Sequence, residues 1–144
     1  MNIVLDTNVL VAGLLSPFGP CGEIVRMVSS GELTLSLDAR ILTEYDEVLH
    51  RPKFKFDKEK VSVLLDHMEH RGLTVASSPL IQSLPDIDDE PFLEVAIAAH
   101  AEFLLTGNRK HFPPDLCQGI TVLSPGEFLQ LYKLQAVMVA SSIE

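Results

Sequence analysis

Along the whole chain, short apolar runs of strand length alternate with longer stretches in which apolar side chains recur at helical spacing. The strand-like runs are "NIVLD" (2–6), "LTLSL" (33–37), "LTVA" (73–76), "FLLT" (103–106) and "ITVL" (120–123). Helical stretches fill 7–15, 21–30, 39–50 and 57–71, another runs from Pro91 through "FLEVAIAAH", and a last one starts at Pro125. Parallel strands need long crossovers, which helices supply, so this order predicts an α/β sandwich around a central, mainly parallel sheet.

The punctuation agrees with that division. Two prolines and a glycine in "SPFGP" (16–20) break the first helix, and Gly31 suits a helix C-terminus. Asp38 is placed to cap the next helix, whose Ile41, Leu42, Tyr45, Val48 and Leu49 form one apolar stripe before Pro52 stops it. Val61, Leu64, Leu65 and Met68 give the following helix its buried face, and Gly72 ends it. A polar loop over 77–89 leads to Pro91, a residue type favoured in a first helical turn.

At 144 residues the chain is the size of one domain, taken here as 1–134 with 135–144 as a C-terminal extension. No apolar run approaches the roughly 20 residues needed to span a bilayer. Asp6 interrupts the N-terminal run early and no basic flank precedes it, so no secretory signal is expected and the protein is placed in the cytoplasm. Cys21 and Cys117 are far apart, without metal-ligand spacing, and read as ordinary thiols. The net charge of −9 argues against phosphate binding, unless acids gather around divalent cations and the metal reverses the local sign.

In open parallel sheets ligands collect beyond the carboxyl ends of the strands. Asp6 and the "TGN" of Thr106, Gly107 and Asn108 both fall there. Each acid also has a plain structural role available. Asp6, Thr7 and Asn8 can cap the helix they open, and the run "DIDDE" (86–90) can complement a helix dipole. Glu44 and Asp46 flank opposite sides of one apolar stripe, and spacing does not choose between them.

Taken in order, the segments "IVLDTNVLVAGL", "LTEYDEVLHRPKF", "DDEPFLEVAIAAHAEFLLTGNRKHF" and "VLSPGEFL" resemble the PIN domain (PilT N-terminus), over most of the chain. The likeness is greatest to its bacterial and archaeal VapC-like branch, the toxins of toxin–antitoxin pairs. The resemblance implies a PIN-like three-layer α/β/α sandwich and a ribonuclease dependent on Mg²⁺ or Mn²⁺. It implies Asp6 as the first acid and selects Glu44 from the helix after the second strand. Counting back from Thr106 puts the third acid on Glu90, with Asp89 and Asp88 as substitutes, so Asp6, Glu44 and Glu90 are the expected ligands. Where many relatives carry a fourth aspartate, this chain has Asn108 and His111, and an amide supplies no negative charge. A cognate antitoxin and a homodimer are implied as partners.

The chemistry is coherent by itself. A phosphodiester repels hydroxide and its departing oxygen needs stabilisation; a hard divalent cation held by oxygen ligands answers both needs. Three crowded carboxylates repel one another, so their clustering makes sense with a cation among them. Thr7, Asn8, Thr106 and Asn108 are suited to positioning the acids or a phosphate oxygen. For RNA, Arg109 and Lys110 adjoin the centre. "HRPKFKFDKEK" (50–60) adds Arg51 and Lys53 among lysines, with Phe54 and Phe56 available for stacking on bases or, equally, for anchoring a connection to the core. The rival class is a catalytically weakened module that binds nucleic acid or a protein without cutting.

Overall fold

The computed structural model describes residues 1–143 and contains five strands: β1 (Asn2–Leu5), β2 (Thr34–Leu37), β3 (Leu73–Thr74), β4 (Phe103–Leu105) and β5 (Thr121–Leu123). They form one sheet in the order β3-β2-β1-β4-β5, and every neighbouring pair is parallel. Ile3, Val4 and Leu5 of the central strand are fully buried, as expected of a strand covered on both faces.

Six helices surround the sheet: α1 (Thr7–Leu15), α2 (Pro20–Ser29), α3 (Ala39–Leu49), α4 (Lys58–Arg71), α5 (Glu90–Ala98) and α6 (Pro125–Ile143). Right-handed crossovers from β1 outward to β2 and β3 carry α1 to α4 over one face, and the return to β4 puts α5 on the other. There α5 packs across β1, β2 and β4, while α6 lies against α2. This is the three-layer α/β/α sandwich.

Local signals explain most boundaries. Asp38 accepts the Ile41 N–H at 3.0 Å and so caps α3; Asp57 does the same for α4 through Lys60 at 3.1 Å. Gly31 turns left-handed after α2, with φ of 84°. Gly72 has φ of −78° and serves differently: a Cβ there would meet the carbonyls of Met68 and Leu35, so glycine permits the close passage of α4 to β2.

Three details differ from the expected pattern. The edge strand β3 is two residues long and exposed rather than running over 73–76, although the Val75 N–H still reaches the Leu37 carbonyl at 3.1 Å. Short 3₁₀ turns, Pro52–Phe54, Ile87–Asp89, Arg109–His111 and Pro114–Leu116, occupy the connections. The extension at 135–144 continues α6 as far as Ile143, with Leu134, Val137, Met138 and Val139 exposed; Glu144 lies outside the described residues. Among the described residues no single helix is long and apolar enough to cross a membrane; α1 and α2 are apolar together but meet at 103°.

Candidate active site

Asp6 leaves β1 at its carboxyl end, where its N–H donates to Leu105 of β4 at 2.9 Å. It occupies the N-cap position of α1, yet its side chain makes no capping hydrogen bond. The carboxylate instead accepts the Thr106 hydroxyl at 2.8 Å. Thr106 is fully buried after β4, its N–H donates to Leu123 of β5 at 3.1 Å, and its hydroxyl accepts the Asn108 N–H at 3.1 Å. Three adjacent strand ends therefore fix one carboxylate.

Glu44 reaches the same edge from α3. Its neighbour Tyr45 is fully buried and donates its hydroxyl to the Leu5 carbonyl at 2.6 Å, which pins α3 to the end of β1. The Thr7 hydroxyl donates to Glu44. Asp46, the alternative on the other side of the stripe, is exposed and faces His50 at 3.1 Å.

The three acids offered for the third place, Glu90 first and then Asp89 and Asp88, take up different positions. Glu90 begins α5 with its carboxylate turned back to accept the Leu84 N–H at 2.9 Å. Asp88 is exposed. Asp89 lies between them, only 8% exposed, and its Oδ2 has no hydrogen-bond partner. His111 Nδ1 stands 3.1 Å from that oxygen, within ion-pair range but outside hydrogen-bond geometry. Consecutive residues in a helical turn point about 100° apart, so only one of the three can face the sheet edge. That residue is Asp89, and Glu90 is spent on closing the loop before α5.

All three acids hold their protons more tightly than usual. Burial raises Asp6, against the opposing hydrogen bond from Thr106. Burial also raises Glu44, opposed by the Thr7 hydroxyl and reinforced by the charges of Asp6 and Asp88; Arg51 acts in the lowering direction. Asp89 is pushed up to about 6, by burial first and then by Asp6, with His111 opposing. Because these three groups bind more protons in the folded chain than in the unfolded one between the ordinary carboxylate range and pH 6, the stability they contribute falls as pH rises through that window. In chelator, urea unfolding should show wild type losing on the order of 2 kcal/mol more than Asp89→Asn between pH 4 and 7. Parallel profiles for the two proteins would contradict the crowding described here.

Among the described residues, no group of three carboxylate, imidazole or thiol side chains is arranged to chelate a metal ion as it lies. The donor chemistry nevertheless fits a hard divalent cation. Two buried carboxylates and the half-buried Glu44 are destabilised in their charged forms, and one buried oxygen of Asp89 lacks a hydrogen-bond partner.

The remaining predicted residues are more scattered. Asn8 is exposed beside Asp6, and the Asn108 amide lies 3.0 Å from His111 Nε2. Arg51, Lys53, Arg109 and Lys110 are exposed; Arg109 pairs with Glu127 at 3.2 Å, and Lys53 sits over the Phe54 ring at 5.1 Å. Phe54 and Phe56 stack on each other at 5.5 Å and are half-buried against the core, which makes them anchors of the connection. Two features were not assigned a place in the site by the sequence reading. One is His111, noted only as standing with Asn108 where relatives carry an acid. The other is buried Glu94 on α5, which accepts Arg40 of α3 at 2.7 Å and so ties together the helices carrying Asp89 and Glu44; its clue was an acid inside the apolar "FLEVAIA".

A parallel sheet with helices packed on it and carboxylates gathered where its central strands end defines an α/β protein with an acidic site at the sheet edge. The PIN domain family model matches residues 2–110, and the chain belongs to this family of nucleases. Solved structures share the fold. VapBC2 from Rickettsia felis, bound to a promoter DNA fragment, is 18% identical with a TM-score of 0.56, over 86% of this chain and 98% of that one. VapBC-1 from nontypeable Haemophilus influenzae is 14% identical with a TM-score of 0.57, over 88% and 99%. FitAcB from Neisseria gonorrhoeae is 16% identical with a TM-score of 0.54, over 85% and 97%. A comparison with curated proteins finds no match.

Proposed function

We propose that this chain is a metal-dependent endoribonuclease and the toxin of a toxin–antitoxin pair. The observation that carries the reading is the gathering of three proton-retaining acids at the carboxyl edge of the sheet, buried Asp6 and Asp89 and half-buried Glu44, with one Asp89 oxygen unpartnered. Asp6, Glu44 and Asp89 would hold Mg²⁺ or Mn²⁺, with at least one side chain reorienting on loading. When bound, such a cation neutralises phosphate oxygens and lowers the pKa of water.

The chain's own groups account for the rest. Thr106 and Thr7 hold Asp6 and Glu44 by their hydroxyls, leaving other carboxylate lone pairs free. Arg109 and Lys110 line a cavity of about 530 Å³ with Phe112, Pro114 and Ile120, a combination of cationic rim and apolar floor suited to a nucleotide. Arg51 and Lys53 extend the positive surface from the Glu44 side. The VapBC and FitAB neighbours support a cognate antitoxin as partner, and the acid edge is the surface such a partner would have to cover to block the site. A homodimer belongs to the same reading, with exposed Val63 on α4 among the apolar side chains available to it.

The test is incubation of the pure chain with mixed-sequence single-stranded RNA and matched DNA, in Mg²⁺, in Mn²⁺ and in chelator. Internal cleavage of RNA leaving 5′-phosphates, and none in chelator, is expected from hydrolysis. Cyclic phosphate ends would indicate attack by the RNA 2′-hydroxyl and contradict the mechanism. Binding of RNA without cleavage in either metal would favour the binding-module reading.

A further inference from the structure

We infer that Arg40 and Glu94 are positioning residues for cleavage: their ion pair clips the segment 77–84 onto α5 and onto the start of α3, and so sets the separation of Glu44 from Asp89. This role rests on the nuclease reading above. On α5, Glu90 and Glu94 are four residues apart and share one side of the helix. Each accepts a backbone N–H from the preceding loop, Glu90 from Leu84 at 2.9 Å and Glu94 from Leu80 at 3.3 Å. The loop therefore runs along α5 in the opposite direction and is held at both ends of this stretch, with Leu84 buried and Leu80 half-buried against the core. Clips one turn apart fix how α5 is rotated, and that rotation is what leaves Asp89 at the sheet edge.

Arg40 joins this assembly to α3. Its Nη1 donates to Glu94 at 2.7 Å, its Nη2 to the Ser77 hydroxyl at 2.9 Å, and its Nε and Nη2 to one oxygen of Asp38 at 2.9 and 2.7 Å. The other oxygen of Asp38 caps α3 through the Ile41 N–H at 3.0 Å. One guanidinium thus bridges the cap of α3, α5 and the first part of the loop, and Glu44 lies one turn beyond Arg40 on the same side of α3. Stability alone does not account for a charge at this place. The Glu94 carboxylate is buried within the apolar run of α5, and a buried ion pair is worth little more than apolar side chains of the same volume. What the pair supplies is geometry. Glu94 uses one oxygen for Arg40 and the other for Leu80, donors on different elements, so neither an apolar side chain nor an amide reproduces it.

The competing role is that of a plain structural ion pair. Measurements on the full chain separate the two, using wild type, Arg40→Lys and the double variant Arg40→Leu with Glu94→Leu. Lysine keeps the charge but loses the fork that reaches Asp38, Glu94 and Ser77 together, and Arg40 is partly exposed, so this variant should fold. The leucines remove the buried charge together with its partner, so the thermal midpoint should stay within about 5 °C of wild type. In chelator and without RNA, amide exchange followed by NMR should be about tenfold or more faster at Leu84 in both variants, while the amides of β1 keep wild-type rates. Leu84 is bonded to Glu90, which neither variant alters, so the change has to pass along the loop. In Mn²⁺, single-turnover cleavage at saturating RNA should slow by about tenfold or more with the half-saturating RNA concentration little changed, because the acids are displaced and the RNA-binding surface is not. Wild-type exchange at Leu84, or faster exchange with wild-type cleavage rates, overturns the positioning role; if the double variant does not fold, Arg40→Lys decides by the same readings. Absence of cleavage by wild type in either metal overturns the nuclease reading and the role in cleavage with it, whereas the Leu84 exchange rates still decide the clip.

Discussion

Asp6→Asn should reduce metal-dependent RNA cleavage by roughly 10³-fold or more while leaving the metal-free protein at least as stable as wild type. The first half follows from its position. Asp6 is held by the ends of β1, β4 and β5 and is the carboxylate closest to the middle of the edge. Removing its charge takes away cation affinity and the phosphate neutralisation that depends on it. The second half follows from burial, which already disfavours the ionised form. An amide oxygen still accepts the Thr106 hydroxyl, and the charge that has to be kept out of water is gone. Cleavage assays and urea unfolding in chelator, run on the same preparations, check both halves. Cleavage within tenfold of wild type would remove Asp6 from the centre, and a loss of several kcal/mol would recast it as a structural residue.

Asp89→Asn and Glu90→Gln should part company. Asp89→Asn should be as defective as Asp6→Asn, since it neutralises the buried acid that faces Asp6 and Glu44. Glu90→Gln should keep activity within about tenfold of wild type, because an amide oxygen can still accept the Leu84 N–H and hold the loop. Single-turnover cleavage rates at saturating Mn²⁺ distinguish chemistry from weakened binding. The opposite ranking would mean that the first turn of α5 rotates on metal loading and brings Glu90 to the edge.

The two variants also mark the boundary of what the amino-acid sequence conveys. Strands and helices were legible because burial on both faces produces apolar runs, and burial on one face produces helical stripes; β1 and α3 follow these rules closely. Asp6 and Thr106 were legible as edge residues because they end such runs. Spacing left Glu44 and Asp46 open, and the buried Tyr45 hydroxyl on Leu5 is the contact that turns Glu44 toward the edge. The acids at 88 to 90 could not be ranked by spacing, because a shift of one residue in the start of α5 rotates the facing side chain by about 100°. The Leu84 N–H takes up the Glu90 carboxylate, and that contact depends on a loop with no periodicity to read. The Arg40–Glu94 pair is likewise a meeting of residues 54 apart, set by packing of α3 against α5. Phe54 and Phe56 looked alike as base-stacking platforms and as anchors until their mutual stacking and partial burial were seen.

The central claim is that Asp6, Glu44 and Asp89 surround a divalent cation, and crystals soaked in Mn²⁺ and recorded for anomalous scattering test it most directly. The account predicts a single strong manganese peak at the carboxyl edge of the sheet, bonded to carboxylate oxygens of Asp6 and Asp89, with Glu44 in contact directly or through one water. A fully soaked crystal with no peak at that edge, or with manganese bound only elsewhere on the molecule, would contradict it.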